Sequence, residues 1–347
     1  MPLIVLYKHI MKIFIIALLS VFLTSCGNVT QYSEHATPKQ NSTKDAAFTI
    51  ASYDSDLKLH DYAYYKHPER ILALWQNSVE TLIALGAADK IIAFGGLANE
   101  NYLKPEHKEA FEQIPIRSRQ VFSQEDVLLM QPDFILGWYF DFSGKGRSIG
   151  TTDFWNRRNV NIYMNLLNGA EFQPVHKLED EIKYISDVGK IVGRQKQAAD
   201  IIRSIEIKIT ACQNGLAGTA RPKVLLISGI GSSIAIYTPR TLPGDLVTKL
   251  GGKVIGKENE KIGETEFISL EEILLNDPDV VFISSAPENA SLALTRFKNI
   301  PVLRSLRCIK NNNCYTIPFY TIRSPGVRVT DAIEIFASGL QKAGESL

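Results

Sequence analysis

A chain of 347 residues, 45% hydrophobic and 22% charged, carries enough apolar material for a sizeable core and enough length for two domains of ordinary size. Its 38 basic residues are matched by 37 acidic ones, and the formal net charge of +1 gives no global field for nucleic acid or an anionic membrane surface. Recognition by charge therefore has to be local, and no nucleic-acid partner is expected.

The first segment reads as a processing signal. From Met11 the chain runs "MKIFIIALLSVFLTSCGN", one lysine followed by an apolar stretch to Leu23 that is short for a membrane span but suits a secretory signal. Leu23-Thr24-Ser25-Cys26 resembles the bacterial lipobox, whose cysteine is lipidated and becomes the first mature residue. Residues 1–26 are accordingly expected to be a lipoprotein signal, with Met11 rather than Met1 as the start and Cys26 as the lipidation site. A short signal anchor with an incidental cysteine is the alternative. Residues 27–47 are polar and nearly devoid of aliphatics, so they read as a flexible tether. The expected location is outside the cytoplasmic membrane, held by lipid to its outer side, which is the periplasm in a Gram-negative cell.

The body alternates strand and helix patterns. "RILALW" (70–75) reads as a short strand, and Val79, Leu82, Ile83 and Leu85 then stripe a helix that Gly86 stops. "IIAFGG" (91–96) is the next strand. At 123–136 stands "SQEDVLLMQPDFIL", with Ser123 as N-cap, Asp126 as its acidic partner, Val127, Leu128 and Met130 as the buried face, and Pro132 as the stop before a strand. A helix pattern at "TDFWNRRNV" and the strand "NIYMN" follow. Residues 178–193 form one helix, and 194–214 a longer one with Ala198, Ile201, Ile202, Ile205 and Ile209 at helical spacing. The alternation resumes with "VLLIS" (224–228), "SIAIYT" and the helix "LPGDLVTKLGG". At 269–282 the earlier grammar recurs as "SLEEILLNDPDVVF": Ser269 as cap, Glu272 as partner, Ile273 and Leu274 inward, Pro278 as stop.

This order predicts an α/β protein of two lobes, each a mostly parallel sheet covered by helices, bridged by one long helix with a ligand cleft between them. The expected bounds are 48–193 for the N-terminal lobe, 194–214 for the bridge and 222–347 for the C-terminal lobe. Capping and the helix dipole explain acidic first turns in general. They do not explain why Glu125 and Glu271 share one register, at a helical position that points outward. Of the cysteines beyond Cys26, Cys308 and Cys314 flank the turn-prone "IKNNN", and an exported protein can oxidise such a pair to a disulfide. Cys212 reads as a lone thiol near a helix end.

The lipobox, the paired "E-x-aliphatic-x-x-x-x-P-D" segments and stretches such as "DVGKIVGRQKQAADII" and "IPVLRSLRCIKNNNCYTIP" together resemble the substrate-binding lipoproteins of iron-siderophore, haem and cobalamin ABC importers. The resemblance runs over about 68–340. It implies a non-catalytic capture protein with no cofactor of its own, whose cargo is a metal chelate, foremost a ferric siderophore, with haem or cobalamin as alternatives. It implies an ABC permease dimer as partner, docked through Glu125 and Glu271, and a membrane association through the N-terminal lipid. Residues matching cleft positions are Trp75, Gln76, Arg119, Trp138, Tyr139, Tyr237, Arg240, Tyr320 and Arg323, with Arg117, Arg147 and Arg328 as weaker candidates. Guanidinium groups grip carboxylate or catecholate oxygens, and aromatic faces stack on flat ligand surface.

Other chemistries find less support. "SGIGSS" (228–233) lacks the third glycine of a dinucleotide loop, and no G-x-S-x-G elbow is present. The six histidines show no metal-ligand spacing. "HDYAYYKHPER" (60–70) offers Tyr or His to a haem iron, but reads better as the lead-in to the first strand with tyrosine as packing. A lipid-anchored enzyme using the same cleft is the alternative of a different class, and no nucleophile or acid/base pair can be nominated for it.

Overall fold

Successive side chains along each strand take opposite faces of the sheet, and the central strands are buried on both. The computed structural model describes residues 46–97, 99–165, 176–218, 220–257, 266–323 and 325–345. They fall in one compact unit, Asp45–Leu347. The signal, the lipidation site Cys26 and nearly all of the tether lie outside the described residues.

A hairpin of β1 (Phe48–Tyr53) and β2 (Leu59–Tyr64) comes first. Tyr64 is buried in it, stacked on Phe48 and edge-on to Phe134, so this tyrosine is packing. The first lobe is built on five parallel strands in the order β5-β4-β3-β6-β7: β3 (Ile71–Leu74), β4 (Ile91–Gly95), β5 (Ile116–Ser118), β6 (Phe134–Trp138) and β7 (Asn161–Asn165). The second lobe has a mixed sheet, β11-β9-β8-β12-β13 with β10 also on β8, from β8 (Lys223–Ile230), β9 (Ile234–Ile236), β10 (Lys253–Val254), β11 (Glu266–Ile268), β12 (Val280–Ser285) and β13 (Cys314–Pro318). Strands β8, β12 and β13 run parallel, and β9 is antiparallel to both neighbours.

Ile71 and Ala73 of β3, Val224 and Leu226 of β8, and Val280 and Phe282 of β12 all face one core cluster, which continues through Phe336 and Leu340 of the C-terminal helix Val329–Gly344. The intervening residues turn the other way: Leu72 and Leu74 join an outer cluster of the first lobe, and Leu225, Ile227, Val281 and Ile283 one of the second. The lobes thus share a core and each has a private one.

The helix Gln195–Gly215 is the covalent bridge. At its start Arg194 donates from Nε to the Gly86 carbonyl at 3.1 Å. Near its end Gln213 Nε2 donates to Lys249 O at 2.7 Å, and the buried Cys212 thiol to Leu250 O. Only Ala198, Ile205 and Cys212 are fully buried along it, a narrow seam repeating every two turns, while Ile201, Ile202 and Ile209 are half-buried. The preceding helix Leu178–Ile191 accompanies it across: Leu178 N donates to Asp245 of the second lobe at 2.9 Å, and Lys190 Nζ to Thr49 O of the first at 3.2 Å.

The two copies of the sequence motif fold alike. In the first repeat helix (Gln124–Met130) Ser123 and Asp126 form the expected capping box, and in the second (Leu270–Asn276) Ser269 and Glu272 do the same. Each ends in a left-handed residue, Gln131 at φ 50 and Asp277 at φ 43. Arg70 Nη2 donates to the terminal carbonyl of Met130 at 2.7 Å, and Lys223 Nζ to that of Asn276 at 3.0 Å. The buried face is narrower than the pattern suggested. Val127 and Ile273 are the only fully buried residues of these helices, whereas Leu128 and Leu274, expected inward, are 39% and 37% exposed. A two-turn helix laid on a sheet fully buries only the one residue at the centre of its inner face.

Cys308 and Cys314, the pair expected to form a disulfide, stand in the structure as thiols whose side chains are hydrogen-bonded to each other. Both are buried free thiols, and Cys314 Sγ donates to the Cys308 carbonyl at 3.5 Å. The turn at Asn312, with φ 56, folds the chain so that both side chains enter the second lobe's private core, where they pack as small apolar groups.

Candidate ligand-binding cleft

Strands β3 and β6 are neighbours from which the chain departs in opposite directions, the switch point where open α/β sheets bind ligands at their carboxyl ends. Trp75 directly follows β3 and Trp138 ends β6. Their indoles stack with centroids 4.5 Å apart and planes 9° from parallel. Trp75 Nε1 donates to Asp141 Oδ2 at 2.8 Å, the Trp138 backbone N–H donates to the same oxygen at 2.7 Å, and Trp138 Nε1 donates to Asn77 Oδ1 at 3.0 Å. Burial pushes the Asp141 carboxyl up to about 6, against the pull of these bonds.

The backbone bends to make this arrangement. Trp75 has φ 71 and ψ 159, a region used almost only by glycine, at a typical cost of about 1–3 kcal/mol. Two glycines leave the space: a Cβ at Gly96 would lie 2.9 Å from the Trp75 ring, and one at Gly137 2.8 Å from Asp141 Oδ2.

Facing these groups, the turn after β13 supplies Phe319 and Tyr320. Tyr320 stacks on Tyr102 of the first lobe at 5.1 Å, and Phe319 meets the same ring edge-on at 5.9 Å. Tyr102 hydroxyl donates to Glu288 Oε1 of the second lobe at 2.7 Å, and that bond raises its pKa. The cavity enclosed is about 350 Å³, and its walls include Trp75, Asn77, Trp138, Tyr102, Tyr320 and Arg323. This is at the lower end of the range typical of small-molecule sites.

Beneath it lies a buried ionic floor that joins the lobes. Glu80, fully buried, receives Arg328 Nη1 at 2.8 Å, Gln76 Nε2 at 2.8 Å and Lys104 N at 2.9 Å, with His107 Nδ1 at 3.0 Å. Burial raises the Glu80 pKa, and the His107 and Arg328 contacts outweigh it to leave the carboxyl below its ordinary value. Arg328 also donates to Tyr102 O at 2.8 Å and pairs with Asp331, which Lys104 meets at 2.8 Å. Gly326 N donates to Glu181 at 2.7 Å; its φ of 53 and a Cβ position 2.4 Å from Thr81 Oγ1 both require glycine there.

Of the residues proposed for the cleft, the structure brings together Trp75, Gln76, Trp138, Tyr320 and Arg323 and, from the weaker candidates, Arg328. Tyr237 stands one step behind, accepting from Arg323 Nε at 3.3 Å. Arg119, Tyr139 and Arg240 are not among the lining residues. Arg119 is exposed beyond β5, and Tyr139 packs on Phe140. Arg117 caps carbonyls of Glu112 and Ile114 and covers Phe111, and Arg147 is exposed on a loop. Asn77, Leu97, Tyr102, Phe319 and the supporting Asp141 and Glu80 were not singled out by the sequence. Glu125 and Glu271 are both exposed, on the outer surfaces of their lobes' repeat helices. No cluster of metal-ligating side chains occurs among the described residues.

The sequence profile of the periplasmic binding protein family matches residues 71–321. A periplasmic binding protein from Veillonella parvula DSM 2008 superposes with a TM-score of 0.77 at 30% identity, covering 84% of this chain and 90% of that one. An Fe3+-hydroxamate ABC transport protein from Saccharomonospora viridis DSM 43017 superposes at 0.65 with 19% identity, over 84% and 98% of the two chains, a likeness of fold. The high-affinity haem uptake system protein IsdE of Staphylococcus aureus (strain Newman) is 27% identical over 165 residues, 45% of this chain and 54% of that protein. The match therefore spans about half the length of that relative.

Proposed function

This chain belongs to the periplasmic binding protein family, and from that premise we propose that it captures a ferric siderophore in the cleft and delivers it to an ABC permease dimer at the cytoplasmic membrane. It is a non-catalytic carrier in this reading, exported and tethered through Cys26. The observation that carries it is the convergence of two aromatic pairs, Trp75 with Trp138 and Tyr102 with Tyr320, on one cavity that also bears the exposed guanidinium of Arg323. Flat apolar faces take the organic shell of a chelate, and a single cation takes a carboxylate or catecholate arm. The buried Asn77 amide nitrogen, without a partner among the described residues, supplies a further donor at the wall. Delivery rests on Glu125 and Glu271, which are exposed in the first turns of equivalent helices and suit basic residues on the two permease halves, fixing orientation more than affinity.

Haem is the second reading, favoured by the haem-uptake relatives and by Tyr320, whose phenol is a possible iron ligand on the wall. Two of the chain's three tryptophans line the cavity, so fluorescence titration separates the readings. Saturable quenching by a ferric hydroxamate or catecholate is expected. A Soret shift with haemin, and no response to siderophores, selects haem. Flat titrations across the panel end the capture reading.

A further inference from the structure

The two repeat helices present more than a glutamate each. Leu129 is 83% exposed and Leu275 is 85% exposed, and they stand at equivalent positions of the two copies. Each is four residues after its glutamate, so Glu125 with Leu129, and Glu271 with Leu275, share a helix face one turn apart. Neither glutamate has a hydrogen-bond or ion-pair partner among the described residues. Neither helix is loose: capping boxes hold the starts, and Arg70 and Lys223 hold the terminal carbonyls. A single exposed leucine is ordinary on a protein surface. The same acid-plus-leucine pair, fixed twice at nearly equal exposure on the outer side of both lobes, is not accounted for by packing, since Val127 and Ile273 already supply each helix's buried contact.

We infer that Leu129 and Leu275 are apolar plugs in the docking surface, each entering a hydrophobic seat beside a basic residue of the partner. This inference rests on the permease reading above and goes beyond its charge pairing. A partner that engages both lobes has to offer the same seat twice, which is what the two halves of a permease dimer provide. Charge argues against a second copy of this chain as occupant, because joining like patches would set glutamate against glutamate. The division of labour follows from energetics: the exposed carboxylates steer and orient, while leucines taken wholly out of water slow release.

The test uses the full-length chain in its own cells, with radioactive iron supplied as ferrioxamine and as haemin. It compares Leu129→Asp with Leu275→Asp, the same pair changed to Met, and Glu125→Ala with Glu271→Ala. Uptake is expected to fall roughly tenfold or more in the Asp double variant and to persist in the Met variant, with cavity fluorescence titrations unchanged in both. If the Asp variant imports normally while the Glu variant fails, the leucine assignment is wrong and the docking reading stands. Normal import by both variants overturns both. A wild-type dimer in sedimentation that the Asp variant dissociates would show the leucines serving self-association, and also overturns the inference.

Discussion

The outer surfaces of the two lobes match, and the surfaces facing each other across the cleft do not. Outside, one helix is written twice, with the same cap, the same left-handed ending and the same exposed leucine. Inside, the first lobe gives stacked indoles held by Asp141, and the second gives a turn with Phe319, Tyr320 and Arg323. The contrast separates two constraints. If the proposed docking holds, a partner with two equivalent halves would keep the outsides to one design, whereas a ligand lacking that symmetry would leave each inner wall free to specialise. Between them, the ionic floor belongs to both lobes at once.

The largest effect should come from cutting that floor. Arg328→Ala leaves Glu80 buried without its cation and is expected to cost about 3–5 kcal/mol in urea unfolding. A loss under about 1 kcal/mol would mean that His107 alone suffices for Glu80. Next is the pH dependence of the indole wall. Because burial raises the Asp141 pKa above its unfolded value, the folded state takes up the proton first. Its contribution to stability is complete below about pH 4 and is lost as pH climbs through about 6, on the order of 3 kcal/mol. Glu80 and Asp331, whose pKa values are lowered, act in the opposite sense and lose their contribution as pH falls. Asp141→Asn should therefore remove a downward slope between pH 4 and 6, read as the difference between variant and wild-type unfolding curves. Smaller is the strain at Trp75. Trp75→Gly should be more stable than Trp75→Ala by about 1–2 kcal/mol, although both lose the stacked pair; equal stabilities would show the backbone relaxing once the indole is gone. Smallest are the caps: Ser123→Ala and Ser269→Ala should each cost about 1 kcal/mol and agree with one another. Unequal costs would weaken the equivalence of the outer surfaces.

The lobes, the bridging helix and both capping boxes were legible because each depends on residues close in sequence: a period of two or of 3.6, a serine three positions before an acid, a glycine at a stop. Trp75 and Trp138 were found because both stand at strand ends. The floor was hidden for the opposite reason. Glu80 reads as the polar side of an amphipathic helix, and only Arg328, brought from the far end of the chain, makes its burial tolerable. Tyr102 lies in a stretch without periodicity, and Asp141 reads as one more polar residue in a glycine-rich loop. Arg119 and Arg240 show the converse case: an arginine after a strand satisfies the pattern, yet neither is among the residues that line the cavity. The leucines of the repeat helices misled because three aliphatics in a row suggest core, and a two-turn helix cannot bury them all.

That the ionic floor joins the lobes bears on kinetics. Parting them would break the buried Arg328–Glu80 pair and the Tyr102–Tyr320 stack, so a widely open form is expensive and seldom visited. Cargo then meets a slot that already exists, and the rate of capture is governed by encounter and desolvation rather than by waiting for a hinge. Letting go is the costly direction, and the work of prising the walls apart falls to whatever receives the cargo.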